Sequence, residues 1–433
     1  MSRERGDTAP TTAPSTVGGV LETSQLVLVC GSGGVGKTTV SAAMGLDAAR
    51  RTPRRVLVIT VDPARRLADA LGLRVASFAG ADAVRVAPPN GDEWAGELWV
   101  AMLDTKAGWD ELIRRHAPDQ ALAARVLANP LYHNITSRFV NSHDYLAMEQ
   151  LHHLDTQRVY DLVIVDTPPS RNALDLIDAP RRMREFFASS LLKWLTVPAR
   201  SRVLTAAARP FNAVAERVLG TGFLQDIIDF FVLLRTMEPG FVSRAVEVEQ
   251  LLVADRTSFV VVATCEQGPV DEARYFVDEL VRRRLPMRAV VLNRVLPAAF
   301  SDEGPLAAAA AVRSLAADPD AVDAWLHDEA GIAVPVASSL GDLDSAAVAH
   351  VLGEVGRRFG EVRARALADG VRRDSLERHL GSLGSAGGRG AVVVGAVPAL
   401  ADDVRDLAML ARLGASLSAS DGDPAGNGNV THS

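Results

Sequence analysis

The chain has 433 residues, of which 48% are hydrophobic and 23% charged, enough for one large or two modest globular domains with a substantial core. A formal net charge of −7 argues against a protein that coats nucleic acid, and no charge-free apolar run reaches the length of a membrane span. Cys30 and Cys265 are the only cysteines, which leaves no basis for a disulfide framework or a Cys-rich zinc site. These features together predict a soluble, cytoplasmic protein.

Residues 1–23 lack the apolar core of a signal peptide and read as a disordered N-terminal tail. From Gln25 to Cys30 a short apolar strand leads into GSGGVGKTT, Gly31 to Thr39, which contains a complete G-x-x-x-x-G-K-T pattern. Small and apolar residues at helical spacing follow in TTVSAAMGLDAARR. Strand, glycine loop and helix form the context that makes a P-loop match specific. Lys37, Lys106 and Lys193 are the only lysines in an arginine-rich chain, so one at the end of a glycine loop stands out.

Glycine permits the tight backbone that lets the N–H groups of Gly33, Gly34, Val35, Gly36, Lys37, Thr38 and Thr39 wrap phosphates. The helix that follows adds its positive N-terminus. Lys37 is placed to reach the β- and γ-phosphates, and the Thr38 hydroxyl to bind Mg²⁺.

The next strand, Arg55 to Val61, ends at Asp62, where a carboxylate can orient an attacking water or cap the helix that Pro63 opens. Tyr160 to Val165 is a third strand, closed by Asp166, the position of a carboxylate in a Mg²⁺ shell. Two more runs, Ser258 to Thr264 and Met287 to Asn293, are also continuous and apolar, as parallel strands covered on both faces should be. The fold class is α/β, a doubly wound and mostly parallel sheet with its ligand at the strands' C-terminal ends. Asp62, Asp166 and Asn293 all fall at such ends.

Residues 107–150 and 180–250 break this repeat and read as an inserted helical subdomain, with apolar stretches from Arg184 to Leu195 and from Phe223 to Leu234. The ATPase core is then discontinuous: 24–106, 151–178 and 255–418. Beyond residue 300, alanine-rich helices lead to a Gly/Ser break from Gly381 to Gly390, then a last strand and helix, and a disordered tail over 419–433.

With these residues together, the chain resembles the arsenite-pump ATPases and the related ATPases that target tail-anchored membrane proteins. GSGGVGKTT is similar to that family's GKGGVGKTT, VDPARRLADALG to its switch I, and DTPPS to its switch II. The variant DTPPSRNALD resembles the paired form found in actinobacteria. The resemblance implies an ATP- and Mg²⁺-dependent dimer whose helical subdomains form a composite surface for a hydrophobic client. It also implies that Asn293, in VVLNRVLP, reads adenine, and that the loop around Pro398, in GAVPALADD, covers the base.

In that family a second lysine, just after the first glycine, crosses to the partner's phosphates. Here that residue is Ser32, and the family's zinc and arsenite cysteines are absent too. Three explanations fit: pairing with a paralogous ATPase that keeps the lysine, replacement of its charge by Arg65 or another arginine in a homodimer, or an ATP-binding regulatory subunit with little hydrolysis. The first is favoured, because loss of the lysine here impairs the partner's site and leaves Lys37, Thr38, Asp62 and Asp166 of this chain intact. A partitioning ATPase of the same superfamily fits less well, since ADDVRDLAMLARL is mixed in charge rather than basic.

Overall fold

The computed structural model describes residues 14–60, 71, 83–89, 92–102, 105–117, 119–129, 132, 142–168, 170–189, 230–232, 235–326, 344–387, 391–400 and 402–419. Its centre is strand β1 (Leu26–Gly31), buried along its whole length. On one side lie β5 (Leu162–Asp166), β2 (Arg55–Thr60), β4 (Glu97–Met102) and β3 (Val84–Val86); on the other lie β6 (Thr257–Thr264), β7 (Met287–Val295) and β8 (Val393–Pro398). The order is β3-β4-β2-β5-β1-β6-β7-β8, parallel throughout except for β3, which runs antiparallel to β4 at the edge. The chain therefore crosses from one half of the sheet to the other beside β1, the place where doubly wound sheets open a crevice at the strands' C-terminal ends.

Alternation of side chains along β1 divides the core into two layers. Val27 and Val29 point into a layer shared with α1 (Val17–Thr23), α2 (Lys37–Arg51) and α12 (Leu407–Ser418). Leu26, Leu28 and Cys30 point into the other, where α5 (Ser142–Gln157), α6 (Ser170–Ala188), α7 (Glu238–Val253) and α8 (Gln267–Arg282) pack. Helices on both faces explain why these strands carry unbroken apolar runs.

A third apolar cluster lies apart from the sheet. It unites α3 (Thr105–His116), α4 (Gln120–Leu127), the start of α5, the end of α6 and the start of α7 through Ile113, Val126, Tyr145, Phe187 and Phe241. Phe187 stacks on Phe241 at 5.4 Å between ring centroids, and Phe230 is buried in the same cluster. The described parts of the two apolar stretches thus fill an interior; residues 190–229 lie outside the described set. Helix α5 runs unbroken through residue 150, where the sequence places a domain boundary.

Three expectations need correction. The N-terminal tail does not extend to residue 23, because α1 is a helix capped by the Thr16 hydroxyl, which accepts from the Gly19 N–H, with Val17, Val20 and Leu21 buried against the sheet layer. The Gly/Ser break does not begin at Gly381: after α9 (Glu303–Ala316) and α10 (Pro319–Leu326), helix α11 (Ser345–Gly387) continues as far as Gly387. Leu376 and Leu380 of α11 are buried in the sheet's second layer, and such packing outweighs the poor helix propensity of glycine. Strands β3 and β4 are absent from the sequence reading altogether. Their runs are only three and six residues long, and β4 is fixed by pairing with β2 from Arg55↔Glu97 to Thr60↔Met102.

Candidate functional site

The loop Gly31–Gly36 leaves β1 at the crevice and turns directly into α2. Two of its glycines are required by the protein itself. Gly31 sits at φ +153°, where an added Cβ would lie 2.2 Å from the Val262 carbonyl of β6. Gly36 sits at φ +89°, where a Cβ would lie 2.3 Å from Asn293 Nδ2. At Gly33 and Gly34 a Cβ would meet no protein atom within 4 Å, so that stretch of backbone is exposed to whatever the crevice holds.

Helix α2 begins at Lys37 with Gly36 as its N-cap, and no side chain caps it. Its first-turn N–H groups point into the crevice, as an anion site requires. Lys37 is buried, and its ammonium donates to the Gly31 and Ser32 carbonyls at 3.0 and 2.9 Å, arching back over its own loop. The Ser32 side chain is buried as well, and its Oγ has no hydrogen-bond partner among the described residues. A backbone cradle, a helix N-terminus and a cation on the loop together fit a polyphosphate.

Beside the loop, Asp166 closes β5 and is 1% exposed. Its Oδ2 accepts from the Thr38 hydroxyl at 2.6 Å and from the Thr60 hydroxyl at 3.2 Å. Thr38 and Asp166 are thereby brought together as the sequence anticipates, and a hydroxyl beside a carboxylate suits a hard divalent cation. Thr60 escaped the sequence reading, as did Thr167, whose hydroxyl and N–H both donate to the Val29 carbonyl at 2.8 and 3.2 Å. Thr60 is the last residue of β2 and Thr167 follows the last residue of β5, a hydroxyl at a strand end in both cases, which is the signal that could have found them. Behind the loop, burial pushes the Cys30 thiol up to about 12 and leaves it inert at neutral pH.

Asn293 lies near the C-terminal end of β7, buried, and donates to the Val35 carbonyl of the loop at 2.7 Å. Pro398 ends β8, next to β7 through the pairing Val295↔Pro398, and is exposed. Asp62 and Arg65 lie outside the described residues; Asp62 follows two positions after Thr60.

The strand–loop–helix unit, the lysine arched over the loop and the Thr38–Asp166 pair define a P-loop nucleotide-binding protein of the α/β class. Residues 24–314 match the model of the anion-transporting ATPases. The chain belongs to that family and is by class an ATPase. Among relatives, an ATPase ASNA1 homolog of Entamoeba dispar is 25% identical over 278 residues, covering 64% of this chain and 78% of that protein. An ATPase GET3 of Lachancea thermotolerans is 24% identical over 295 residues, covering 65% and 74%. An uncharacterized protein of Streptomyces coelicolor is 29% identical over 273 residues, covering 63% and 62%.

Proposed function

We propose that the chain binds ATP with Mg²⁺ in the Gly31–Thr39 loop and hydrolyses it as one half of a dimeric switch, whose nucleotide state is read by the helices of the third apolar cluster. The observation that carries this reading is the convergence of Lys37, Thr38 and Asp166 at the end of β1 and β5. Lys37 is held over the loop, so its ammonium has only to exchange two carbonyls for phosphate oxygens. The loop amides from Gly33 to Thr39 would surround those oxygens, and Ser32 would add its hydroxyl. Thr38 and Asp166 would hold Mg²⁺, Asp166 through water. When bound, the metal neutralises charge on the β- and γ-phosphate oxygens. Asp62 orients the attacking water, and Asn293 and Pro398 border the base.

The partner in this reading is a paralogous ATPase that carries a lysine where this chain has Ser32, with a homodimer as the alternative. A buried serine cannot present a cation to a neighbouring subunit. Loss of a cation that stabilises phosphoryl charge can lower a rate by roughly 10³–10⁵. The same observation favours a second reading, a nucleotide-binding subunit with little hydrolysis of its own. The helical surface would receive a hydrophobic client; Phe187 and Phe230 are buried within the cluster itself.

Steady-state hydrolysis of Mg·ATP by the purified chain, with Lys37→Ala as blank, tests the reading. The heterodimer predicts turnover near the blank for the chain alone and a clear rise with a lysine-bearing paralogue. Full turnover by the chain alone would reject the heterodimer. Turnover that never exceeds the blank in either setting would leave the regulatory reading.

A further inference from the structure

Asn293 does something for the loop that its expected contact with a base does not require. Its Nδ2 donates to the Val35 carbonyl at 2.7 Å, and its Oδ1 accepts the N–H of Arg294 at 2.9 Å. Each end of the amide thus makes one hydrogen bond to backbone, and the side chain is buried at 6% exposure. Two backbone anomalies converge on it. Gly36 adopts φ +89°, and the amide nitrogen lies where a Cβ at Gly36 would have to be, 2.3 Å away. Arg294 adopts φ +59°, a left-handed conformation that a residue with a long side chain seldom takes. Independently of that φ, the Arg294 N–H bonds to Asn293 Oδ1, which fixes the amide so that its NH₂ faces the loop.

We propose that Asn293 is a positioning residue of the phosphate-binding loop, a strut from β7 that holds the Val35–Gly36 turn in its phosphate-ready shape before any nucleotide arrives. Strand β7 is anchored on β6 from Val260↔Ala289 to Thr264↔Asn293, so the strut starts from a rigid element. It acts at the peptide that leads into the first turn of α2, where Val40 N–H bonds to the Gly36 carbonyl at 3.0 Å. A loop held this way loses less freedom on binding phosphate, which is the usual gain from preorganisation. The strut acts on phosphates and not on the base, so its effect is the same for any nucleoside triphosphate and for one with no base at all.

The test uses the full chain carrying Asn293→Ala or the nearly isosteric Asn293→Asp, which at pH 8 places an acceptor against the Val35 carbonyl. In nucleotide-free protein, hydrogen exchange at the Val40 amide should speed up by roughly tenfold, the scale of one buried hydrogen bond, while amides of β6 and β7 stay unchanged. Affinity for inorganic tripolyphosphate should fall by a similar factor, alongside that for ATP and GTP. Unchanged Val40 exchange and unchanged tripolyphosphate binding, with loss confined to ATP, would overturn the strut and leave Asn293 a reader of adenine. The phosphate arm rests on the ATP-binding reading above, whereas the exchange arm needs no ligand. If the unsubstituted chain bound neither ATP nor tripolyphosphate, the ATP-binding reading would fail, and the exchange result would still decide the strut.

Discussion

Two glycines three residues apart, Gly33 and Gly36, do different jobs in the loop, and the difference can be measured. Gly36 is fixed by its neighbours: a left-handed φ costs an ordinary residue roughly 1–2 kcal/mol, and a Cβ would press on Asn293. Gly36→Ala should lower both the melting temperature and Mg·ATP affinity. Gly33 touches no protein atom at its Cβ position, so Gly33→Ala should leave melting unchanged and lower affinity alone. Calorimetric melting and titration of the two variants would show it; equal melting losses in both would mean that Gly33 has a structural duty the geometry does not reveal. At this scale the sequence was legible wherever chemistry fixes spacing. Thr38 and Asp166 meet beside the loop that Lys37 closes, whereas Thr60 and Thr167, marked in the sequence only by their places at strand ends, act through contacts across strands.

Among the elements, the errors came from weighing local composition against packing. Helix α1 is short and contains two glycines and a threonine, so it reads as tail, yet Leu21 is 1% exposed in the layer beneath the sheet. Leu21→Ala should therefore destabilise the fold by about 2–5 kcal/mol, as truncation of a buried leucine does, and chemical denaturation would measure it. A loss near zero would return residues 17–23 to the tail. Helix α5 carries a second, pH-dependent consequence. Burial, with Asp175 adding to it and Arg182 opposing it, raises the Asp144 carboxyl from 3.8 to about 6. Between those values the unfolded chain has released a proton that the folded chain still holds, so stability falls as pH rises through this window. Asp144→Asn removes the loss: its melting temperature should exceed that of the unsubstituted chain above about pH 6, and the gap should narrow towards pH 4. A gap that is constant with pH would contradict the raised carboxyl.

The described residues form a mostly parallel eight-stranded sheet whose crevice at β1 receives residues from β1, β2, β5 and β7. That architecture was readable because β2, β5 and β6 carry continuous apolar runs that end in Thr60, Asp166 and Thr264. Strand β4 is revealed only by its pairing with β2, from Arg55↔Glu97 to Thr60↔Met102. The family match stops at residue 314, so α10 and α11, together with the closing strand β8 and α12, lie beyond it. No helix among the described residues is long and apolar enough to cross a membrane.

Binding of nucleotide at the β1 crevice is the claim on which the rest depends, and isothermal titration of Mg·ATP into the purified full chain and into Lys37→Ala tests it most directly. The account predicts one site per chain, weakened by roughly tenfold or more when the buried ammonium is removed. Equal affinity in both proteins would contradict it, because the phosphates would then lie somewhere other than the loop that Lys37 closes.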